Sequence, residues 1–246
     1  MHTTDIRHNR SGYYDETAYK AIISADRGSR RMEPGKEAGS MTDSSNMVGM
    51  AGRIDGEIEQ QPGIYGARGL RKFYLEIERR RGSRQQSDRV IVIYGQDAEA
   101  TPGQLEDGAY VMVMGKMQTY KEVPGGHIVV FVLADYVGVV SECVEQQNGV
   151  RLEGKIDRQP IHRATPLGKK ITEVVLKVPS AFGEGYYSFL PAICWEKNAE
   201  AAAGYQEGDR VALEGRLQSR KYKKRRDGVE AILTAYEVSA RYIEKI

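Results

Sequence analysis

The sequence is poor in the residues that build metal centres and disulfide frameworks. It has two cysteines, Cys143 and Cys194, and four histidines, and neither residue type shows metal-ligand spacing. We therefore expect reduced thiols, as in a cytoplasmic protein, with no bound metal and no other cofactor. No run of 18 apolar residues is present. The N-terminus also lacks a basic-then-apolar signal pattern, so neither a membrane span nor secretion is predicted.

Sequence motifs of enzymes are also missing. A Gly-Lys pair occurs in TPLGKK (165–170), but Arg163 stands where a phosphate-binding loop needs its first glycine. The glycines of GIYGARG (63–69) lack the strand-then-helix context of a dinucleotide fold. No nucleophile elbow and no distinct carboxylate pair is found. We expect a binding protein rather than an enzyme.

The positive charge is concentrated in the C-terminal part of the chain. The whole sequence has a net charge of +2, and residues 1–46 are neutral overall. Residues 47–147 have a net charge of −3, whereas residues 148–246 carry 18 Lys and Arg against 13 Asp and Glu, a net charge of +5. A polyanion should therefore bind first to the C-terminal part.

An internal repeat is the most informative feature of the sequence. Three blocks recur in the same order about 100 residues later. They are VGMAGRID (48–55) with VRLEGKID (150–157), IYGQDAE (93–99) with CWEKNAE (194–200), and GAYVMVMGKMQT (108–119) with GDRVALEGRLQS (208–219). We therefore divide the chain into a polar tail predicted to be disordered (1–46), a first unit (47–140), a linker (141–147) and a second unit (148–246).

Each unit is predicted to contain five short strands with a helix between the third and the fourth. Apolar residues alternate with charged ones from Val150 to Asp157, which is the period of a half-buried strand. NAEAAAG predicts a helix with Asn198 as its N-cap and Gly204 at its end, and RRDG (225–228) predicts a hairpin turn. This order favours an all-β fold of two tandem OB-fold five-stranded barrels. A small β-sandwich is the competing architecture, but it does not need the helix.

The second unit resembles the bacterial single-stranded-DNA-binding protein family. The matching stretches are LEGKIDRQP, TPLGKK, FLPAICWEKNAE and GDRVALEGRLQSRKY, which occur in the order of the family. The first unit resembles the same family more weakly, through GRID, YGQDAE and GKMQT. The resemblance implies OB folds that bind single-stranded DNA without marked sequence preference, in the cytoplasm at the nucleoid. It also implies four OB folds per assembly, and hence a homodimer of this two-unit chain.

The resemblance further implies a role in DNA replication, recombination and repair. Members of the family usually end in a flexible acidic tail that recruits other replication and repair proteins. The present sequence ends in YIEKI after the last predicted strand. We therefore expect no recruitment of partners through such a tail.

Aromatic rings and cations are the groups that hold a single strand without reading its sequence. Trp195 occupies the position at which the family stacks a base, and Phe189 lies on the same face of the strand by period two. The other face of this strand is also apolar, so the alternative is that Trp195 is a core residue.

The stretch LEGRLQSRKYKKRRDG (213–228) places one ring among cations. Tyr222 is surrounded by Arg220, Lys221, Lys223, Lys224, Arg225 and Arg226. We expect the ring to stack on a base and the cations to contact phosphates; the alternative is a solvated basic turn. Further predicted phosphate contacts are Lys169, Lys170, Arg163 and Arg216, and ordinary loop charge is the alternative for them.

The first unit is a degenerate copy at the predicted site. Tyr94 takes the place of Trp195 and Tyr120 lies near that of Tyr222, whereas Asp88 falls where the second unit has Phe189. The first unit either binds a strand weakly or mainly provides dimer surface, and its negative charge favours the second role.

The leading functional hypothesis is therefore sequence-independent binding and protection of single-stranded DNA. A second hypothesis is a primosome-type accessory protein with the same fold, whose main target is another protein. A third is an assembly protein that uses its OB units only as interaction modules.

Overall fold

The computed structural model describes residues 45–79, 85–100, 103–122, 126–140, 147–226 and 229–246, and these residues form twelve strands and two short helices. The strands are β1 (Asn46–Ile54), β2 (Glu59–Gln61), β3 (Leu70–Glu78), β4 (Ser87–Tyr94), β5 (Tyr110–Lys121), β6 (Ile128–Val139), β7 (Gln147–Ile156), β8 (Ile161–Ala164), β9 (Lys170–Pro179), β10 (Tyr187–Trp195), β11 (Arg210–Arg226) and β12 (Val229–Lys245). A 3₁₀ helix spans Gln96–Ala98, and the helix α1 spans Lys197–Ala203.

The predicted tail and linker lie almost wholly outside the described residues. Of the predicted tail, only Ser45 and Asn46 are described, and Asn46 is the first residue of β1. Of the predicted linker, only Gln147 is described, and it begins β7. The division of the chain at these boundaries stays a prediction.

Each unit closes into a five-stranded barrel with the same strand pairing. In the first barrel β1 pairs with β3 and β5, β3 with β4, β5 with β6, and the parallel pair of β4 and β6 closes the ring. In the second barrel β7, β9, β10, β12 and β11 pair in the same way, closed by the parallel pair of β10 and β12. The short strands β2 and β8 extend the outer edges. The prediction of an all-β fold with two tandem OB-fold barrels is confirmed.

The segment between the third and fourth barrel strands differs between the two units. In the second unit it forms α1, which ends at Gly204 as predicted. The predicted N-cap was wrong, because Glu196 is the N-cap and Asn198 instead donates its Nδ2 hydrogen bond to the carbonyl of Arg241 at 2.8 Å. In the first unit a single 3₁₀ turn replaces the helix. The sequence there continues as EATPG rather than EAAAG, and proline and glycine are poor residues for a helix interior.

Two glycines at matching positions allow the barrels to close. The strand pairing shifts register next to Gly115 in β5 and next to Gly215 in β11. A Cβ atom at Gly115 would lie 2.1 Å from the carbonyl oxygen of Leu133, and one at Gly215 would lie 2.4 Å from that of Ser239. No side chain fits at either distance. Both strands therefore bend at a glycine, where the neighbouring backbone approaches closely.

The two barrels are joined edge to edge by the antiparallel pair of β1 and β7. Val48 lies opposite Val150, which is its own counterpart in the repeat. A pseudo-two-fold axis therefore passes through this pair, as it would between two subunits with an isologous contact. The two units of one chain are arranged like the halves of a symmetric dimer.

A buried carboxylate forms an ion-pair network across this junction. Asp88 at the start of β4 is only 1% exposed. It accepts hydrogen bonds from Arg79 of its own unit at 2.6 and 2.9 Å. It also accepts bonds from the guanidinium of Arg216 at 2.9 Å and from the backbone N–H of Ser219 at 2.8 Å, both in the second unit. Asp88 thus links the two barrels through charged hydrogen bonds in a water-poor environment.

Candidate nucleic-acid interface

The strand β10 presents alternate side chains to the outside of the second barrel. Phe189, Pro191, Ile193 and Trp195 lie on the outer side, and the intervening Leu190, Ala192 and Cys194 are buried in the barrel interior. Phe189 is 37% exposed and Trp195 is half-buried. The two rings predicted to stack on bases therefore lie on the same surface.

Neighbouring strands extend this surface on both sides. Cross-strand pairing sets Ile171, Glu173, Val175 and Lys177 of β9 opposite Trp195, Ile193, Pro191 and Phe189 of β10. On the other side β12 lies next to β10, with Ser239 beside Ile193, and β11 follows. We call this surface, formed by the outward-facing residues of β8, β9, β10, β12 and β11, the outer face of the second barrel.

The middle of the outer face holds acidic groups, and cations pair with them. A shallow pocket of about 100 Å³ is lined by Arg158, Gln159, Ile161, Glu173, Pro191 and Glu237. Arg163 of β8 forms an ion pair with Glu173, and Arg220 of β11 lies 3.8 Å from Glu237. The carboxylates disfavour a phosphate in the middle of the face. The arrangement suits bases in the middle and a phosphate backbone along the cationic rim.

The first turn of the second unit carries two of the predicted cations. Lys169 is exposed, and its backbone N–H donates to Oγ1 of Thr165 at 3.1 Å. Lys170 is also exposed, but its Nζ donates to Oε1 of Glu200 on α1 at 2.5 Å. This hydrogen bond raises the pKa of Lys170 and lowers the pKa of Glu200. The ammonium group of Lys170 is therefore directed towards α1.

Alternation along β11 separates the basic run into two faces. Arg220 and Tyr222 lie on one face, with the guanidinium carbon 5.9 Å from the centre of the tyrosine ring. Lys221 and Lys223 lie on the opposite face, and Nζ of Lys223 is 2.5 Å from Glu230. The side chains of Lys224, Arg225 and Arg226 lie outside the described residues. Only part of the basic run thus shares a surface with the half-buried ring of Tyr222.

Arg216 was predicted to contact phosphates, and the structure corrects this prediction. Its guanidinium donates to Asp88 at 2.9 Å and to Oε1 of Gln218 at 3.0 Å. Burial lowers the pKa of Arg216, and the neighbouring Asp88 opposes that change. Its hydrogen bonds are used to hold the two barrels together.

Tyr94 does not occupy the position of Trp195, which corrects a second prediction. Strand pairing sets corresponding residues of β4 and β10 100 positions apart, so that Tyr94 matches Cys194 and Gly95 matches Trp195. The sequence comparison was one residue out, and a shift of one residue moves a side chain to the opposite face of a strand. Tyr94 is fully buried, and burial raises its pKa to about 12. A base cannot reach its ring.

Tyr120 belongs to an apolar cluster on the outside of the first barrel. Its ring meets Phe131 edge-on at 5.5 Å, and Gln61 donates to its hydroxyl at 3.5 Å. Burial is the main cause that raises the pKa of Tyr120. Tyr120 was predicted to be a stacking ring like Tyr222. In the structure its ring packs within the apolar cluster instead.

The same cluster closes the face of the first barrel that corresponds to the outer face of the second barrel. Ile64 lies in the loop between β2 and β3, Leu70 begins β3, and both pack with Ile91, Ile93 and Phe131. In the second unit the corresponding loop, between β8 and β9, carries Leu167, which is 74% exposed. The first barrel covers with its own loop the surface that the second barrel leaves open.

Sequence reasoning missed several exposed rings near Phe189. Tyr187 lies two residues before Phe189 on the same side of β10, and Nζ of Lys177 lies 4.1 Å from the centre of its ring. The period-two pattern that leads from Trp195 to Phe189 leads on to Tyr187, so the sequence contained this signal. Tyr65 and Tyr186 gave no such signal, because their position depends on how the two units pack.

Neither a membrane-spanning helix nor a cluster of metal ligands occurs in the part of the chain that the structure describes. No helix in that part is long and apolar enough to cross a membrane. Among the same residues, no group of three His, Cys, Asp or Glu side chains is placed to hold a metal ion.

Closed five-stranded barrels with a helical segment before the fourth strand define this chain as an OB-fold protein. A family model described as "Single-strand binding protein family" matches residues 147–245. Single-stranded DNA-binding protein B of Bacillus subtilis (strain 168) is 34% identical over 92 residues, which cover 35% of this chain and 80% of that protein. The chain belongs to the single-strand binding protein family.

Other relatives are longer than the region that they share with this chain. The single-stranded DNA-binding protein of Clostridium tetani is 34% identical over 92 residues, which cover 63% of its length. The single-stranded DNA-binding protein of Bacillus cereus is 36% identical over 81 residues, which cover 48% of its length. The chain thus spans about half to two thirds of these relatives.

Two solved structures share the fold across both barrels. The wild-type single-stranded DNA binding protein from Thermus aquaticus superposes with a TM-score of 0.59 at 21% identity, covering 82% of this chain and 92% of that one. A deletion mutant of the same protein gives a TM-score of 0.61 at 24% identity, covering 82% and 94%. At these identities the likeness concerns the fold.

Proposed function

We propose that this chain binds single-stranded DNA on the outer face of the second barrel, without regard to base sequence. The observation that supports the proposal most is the accessible pair of rings, Phe189 and Trp195, on the outer face of a unit with a net positive charge. The relatives named as single-stranded DNA-binding proteins support the same ligand. Bound in this way, the chain protects DNA during replication, recombination and repair, in the cytoplasm at the nucleoid.

Stacking provides the part of the affinity that excludes duplex DNA. Each base stacked on an aromatic side chain contributes about 1–3 kcal/mol, and all four bases offer a flat face. In a duplex those faces are already stacked on each other. Phe189, Trp195 and Tyr222 therefore select unpaired strands without any covalent chemistry, and the protein acts as a binder rather than an enzyme.

Electrostatics provides the salt-dependent part of the affinity. The carboxylates of Glu173 and Glu237 keep phosphates away from the middle of the outer face. In this proposal the cations Lys169, Lys177 and Arg220 contact the phosphate backbone, and Arg220 leaves its ion pair with Glu237 to do so. Neutralising phosphates releases counterions, so affinity falls as the salt concentration rises.

The first barrel mainly contributes assembly surface. Its counterpart of the binding face is closed by Ile64 and Leu70. On another side, the half-buried residues Met47, Met112 and Met114 lie outward on β1 and β5, where the second unit has Gly149, Ala212 and Glu214. This apolar surface suits a second copy of the chain.

We expect a homodimer with four OB folds. Multi-angle light scattering should give a mass of about twice 27.5 kDa. A monomeric mass at micromolar concentration would contradict this part of the proposal. Replacing Met112 with glutamate should shift the mass towards the monomer, because a buried unpaired charge is costly at an interface.

Binding measured as a function of salt tests the proposal directly. The chain should bind labelled oligo-dT far more tightly than a duplex of equal length. Arg220→Gln should reduce the slope of log affinity against log salt by about 0.7, the value expected for one lost phosphate contact. Lys245→Gln is the control, since Lys245 is bound to Asp209 at 2.7 Å at the far end of β12, and it should leave the slope unchanged.

Two results of this series would count against the account. Equal affinity for oligo-dT and duplex would contradict stacking as the basis of selection. No binding of either would favour an interaction module that has the fold but not the ligand.

A further inference from the structure

The exposed aromatic side chains of the described residues are concentrated in one place. Among the described residues five aromatic side chains are exposed: Tyr65, Tyr186, Tyr187, Phe189 and Tyr242, at 47%, 49%, 45%, 37% and 45%. Four of these five, all but Tyr242, lie where the two barrels adjoin. A cluster of solvent-exposed aromatic rings is typical of an interaction site.

Tyr65 of the first unit is presented by a tight turn. Ile64 and Ala67 exchange both backbone hydrogen bonds, at 3.2 and 2.9 Å, so Tyr65 and Gly66 are the two central residues of the turn. Both have positive φ, 47° for Tyr65 and 89° for Gly66, as a type I′ turn requires. Asparagine is favoured at the first of these positions, and a bulky side chain is strained there. The geometry of the turn therefore does not account for a tyrosine at this position.

The ring of Tyr65 meets rings of the second unit. Its centre lies 5.0 Å from that of Tyr186 and 5.5 Å from that of Phe182. Phe182 is half-buried and also packs towards Phe131 of the first barrel at 6.4 Å. Phe182 thus anchors the loop of the second unit, while Tyr65 and Tyr186 keep about half of their surface in water.

Tyr187 extends the row of rings on the outer face of the second barrel, and its neighbour in the chain, Tyr186, is the residue whose ring meets Tyr65. Trp195, Phe189 and Tyr187 lie outward along β10, and Tyr186 precedes Tyr187 in the chain. The ammonium group of Lys177 lies beside the ring of Tyr187 and supplies a cation at the point where the row leaves the barrel. From Trp195 to Tyr187 the row runs about 26 Å, taking 3.3 Å per residue of strand.

We propose that Tyr187, Tyr186 and Tyr65 form a second stacking site, the junction platform, which carries the strand from the second barrel onto the first. The inference rests on the proposed function and adds residues and a direction to it. Single-stranded nucleic acid is the occupant because Tyr187 continues the stacking row, Tyr186 and Tyr65 adjoin it as exposed rings, and Lys177 supplies a cation beside Tyr187. The first barrel thereby contacts DNA at the junction, although its own binding face is closed.

A strand that reaches the junction platform must be longer than one barrel accommodates. One OB fold takes roughly 4–16 nucleotides, so an oligo-dT of about 8 residues occupies the outer face alone and one of about 30 reaches the platform. Tyr65→Asn removes the ring and places the favoured residue in the turn. It should lower the affinity for the longer oligonucleotide at least about fivefold and leave that for the shorter one within about twofold. Tyr186→Ala should do the same, and Tyr242→Ala, the matched control, should change neither.

Fluorescence anisotropy of labelled oligonucleotides, with circular dichroism melting and light scattering of each variant, decides between the outcomes. Unchanged binding of the longer oligonucleotide by both variants overturns the junction platform and leaves the proposed function intact. Equal losses for both lengths, a lower melting temperature of Tyr65→Asn, or a change in its oligomeric state would show that the ring serves packing or a protein contact, which also overturns it. Failure of the parent chain to bind either oligonucleotide would instead contradict the proposed function.

Discussion

Replacing Trp195 with alanine is expected to weaken binding of oligo-dT by about 1–3 kcal/mol, a loss of roughly 5- to 150-fold in affinity. The indole lies on the outer side of β10 and is half-buried, so its free surface is available to a base. The interior of the barrel is filled by other residues, Leu190, Ala192 and Cys194 among them. Anisotropy of a labelled oligo-dT measures the loss, and urea unfolding of the same variant measures stability.

The variant Trp195→Phe separates stacking from packing. It keeps a flat ring and should retain most of the affinity that Trp195→Ala loses. If Trp195→Ala unfolds, or loses the 3–5 kcal/mol of stability typical of a large core residue, the indole is part of the core and the stacking role is wrong.

The substitution Asp88→Ala is expected to lower the free energy of unfolding by about 3–5 kcal/mol, because it removes a buried carboxylate. The change leaves Arg79 and Arg216 close together without their shared negative charge. It also leaves the backbone N–H of Ser219 without its acceptor. Urea unfolding followed by far-ultraviolet circular dichroism measures the change in the free energy of unfolding.

Asp55→Ala is the matched control for this prediction. Asp55 forms an ion pair with Arg89 in the same unit, but both side chains are exposed. Exposed ion pairs contribute about 0–1 kcal/mol, so this variant should differ little from the parent. Similar losses for the two variants would mean that burial does not strengthen the Asp88 network, contrary to the account of the junction.

The barrels and the position of Phe189 and Trp195 on one common side of β10 could be predicted from the sequence. The repeat of three blocks in constant order required two similar units, and the alternation from Val150 to Ile156 required half-buried strands. The same alternation put Phe189 and Trp195 together. These features are local in the chain, so local patterns were sufficient to predict them.

The remaining features depend on contacts between distant parts of the chain. Tyr94 was assigned to the wrong face, because glycine follows it where tryptophan follows Cys194, and only strand pairing fixes the register. Arg216 was read as a free cation, because its acceptor Asp88 lies 128 residues away. The meeting of Tyr65 with Tyr186 requires the two units to be packed first.

The two units share the same barrel fold and differ in the loop that covers the outer side of the barrel. Val48 faces Val150 across the pseudo-two-fold axis, and the bulge glycines Gly115 and Gly215 match. The difference lies in the loop before the second barrel strand, which buries Ile64 in the first unit and exposes Leu167 in the second. In the proposed function this difference assigns DNA binding to the second barrel and assembly to the first.

Tryptophan fluorescence is the most direct test of the central claim. Trp195 is the single tryptophan of the sequence, so all of the tryptophan emission comes from that residue. Titration with oligo-dT should quench the emission in a saturable way, with the same midpoint as anisotropy, and a duplex of equal length should not quench it. Emission that stays constant while anisotropy reports binding would place the strand elsewhere on the molecule and contradict the claim that bases stack on the outer face of the second barrel.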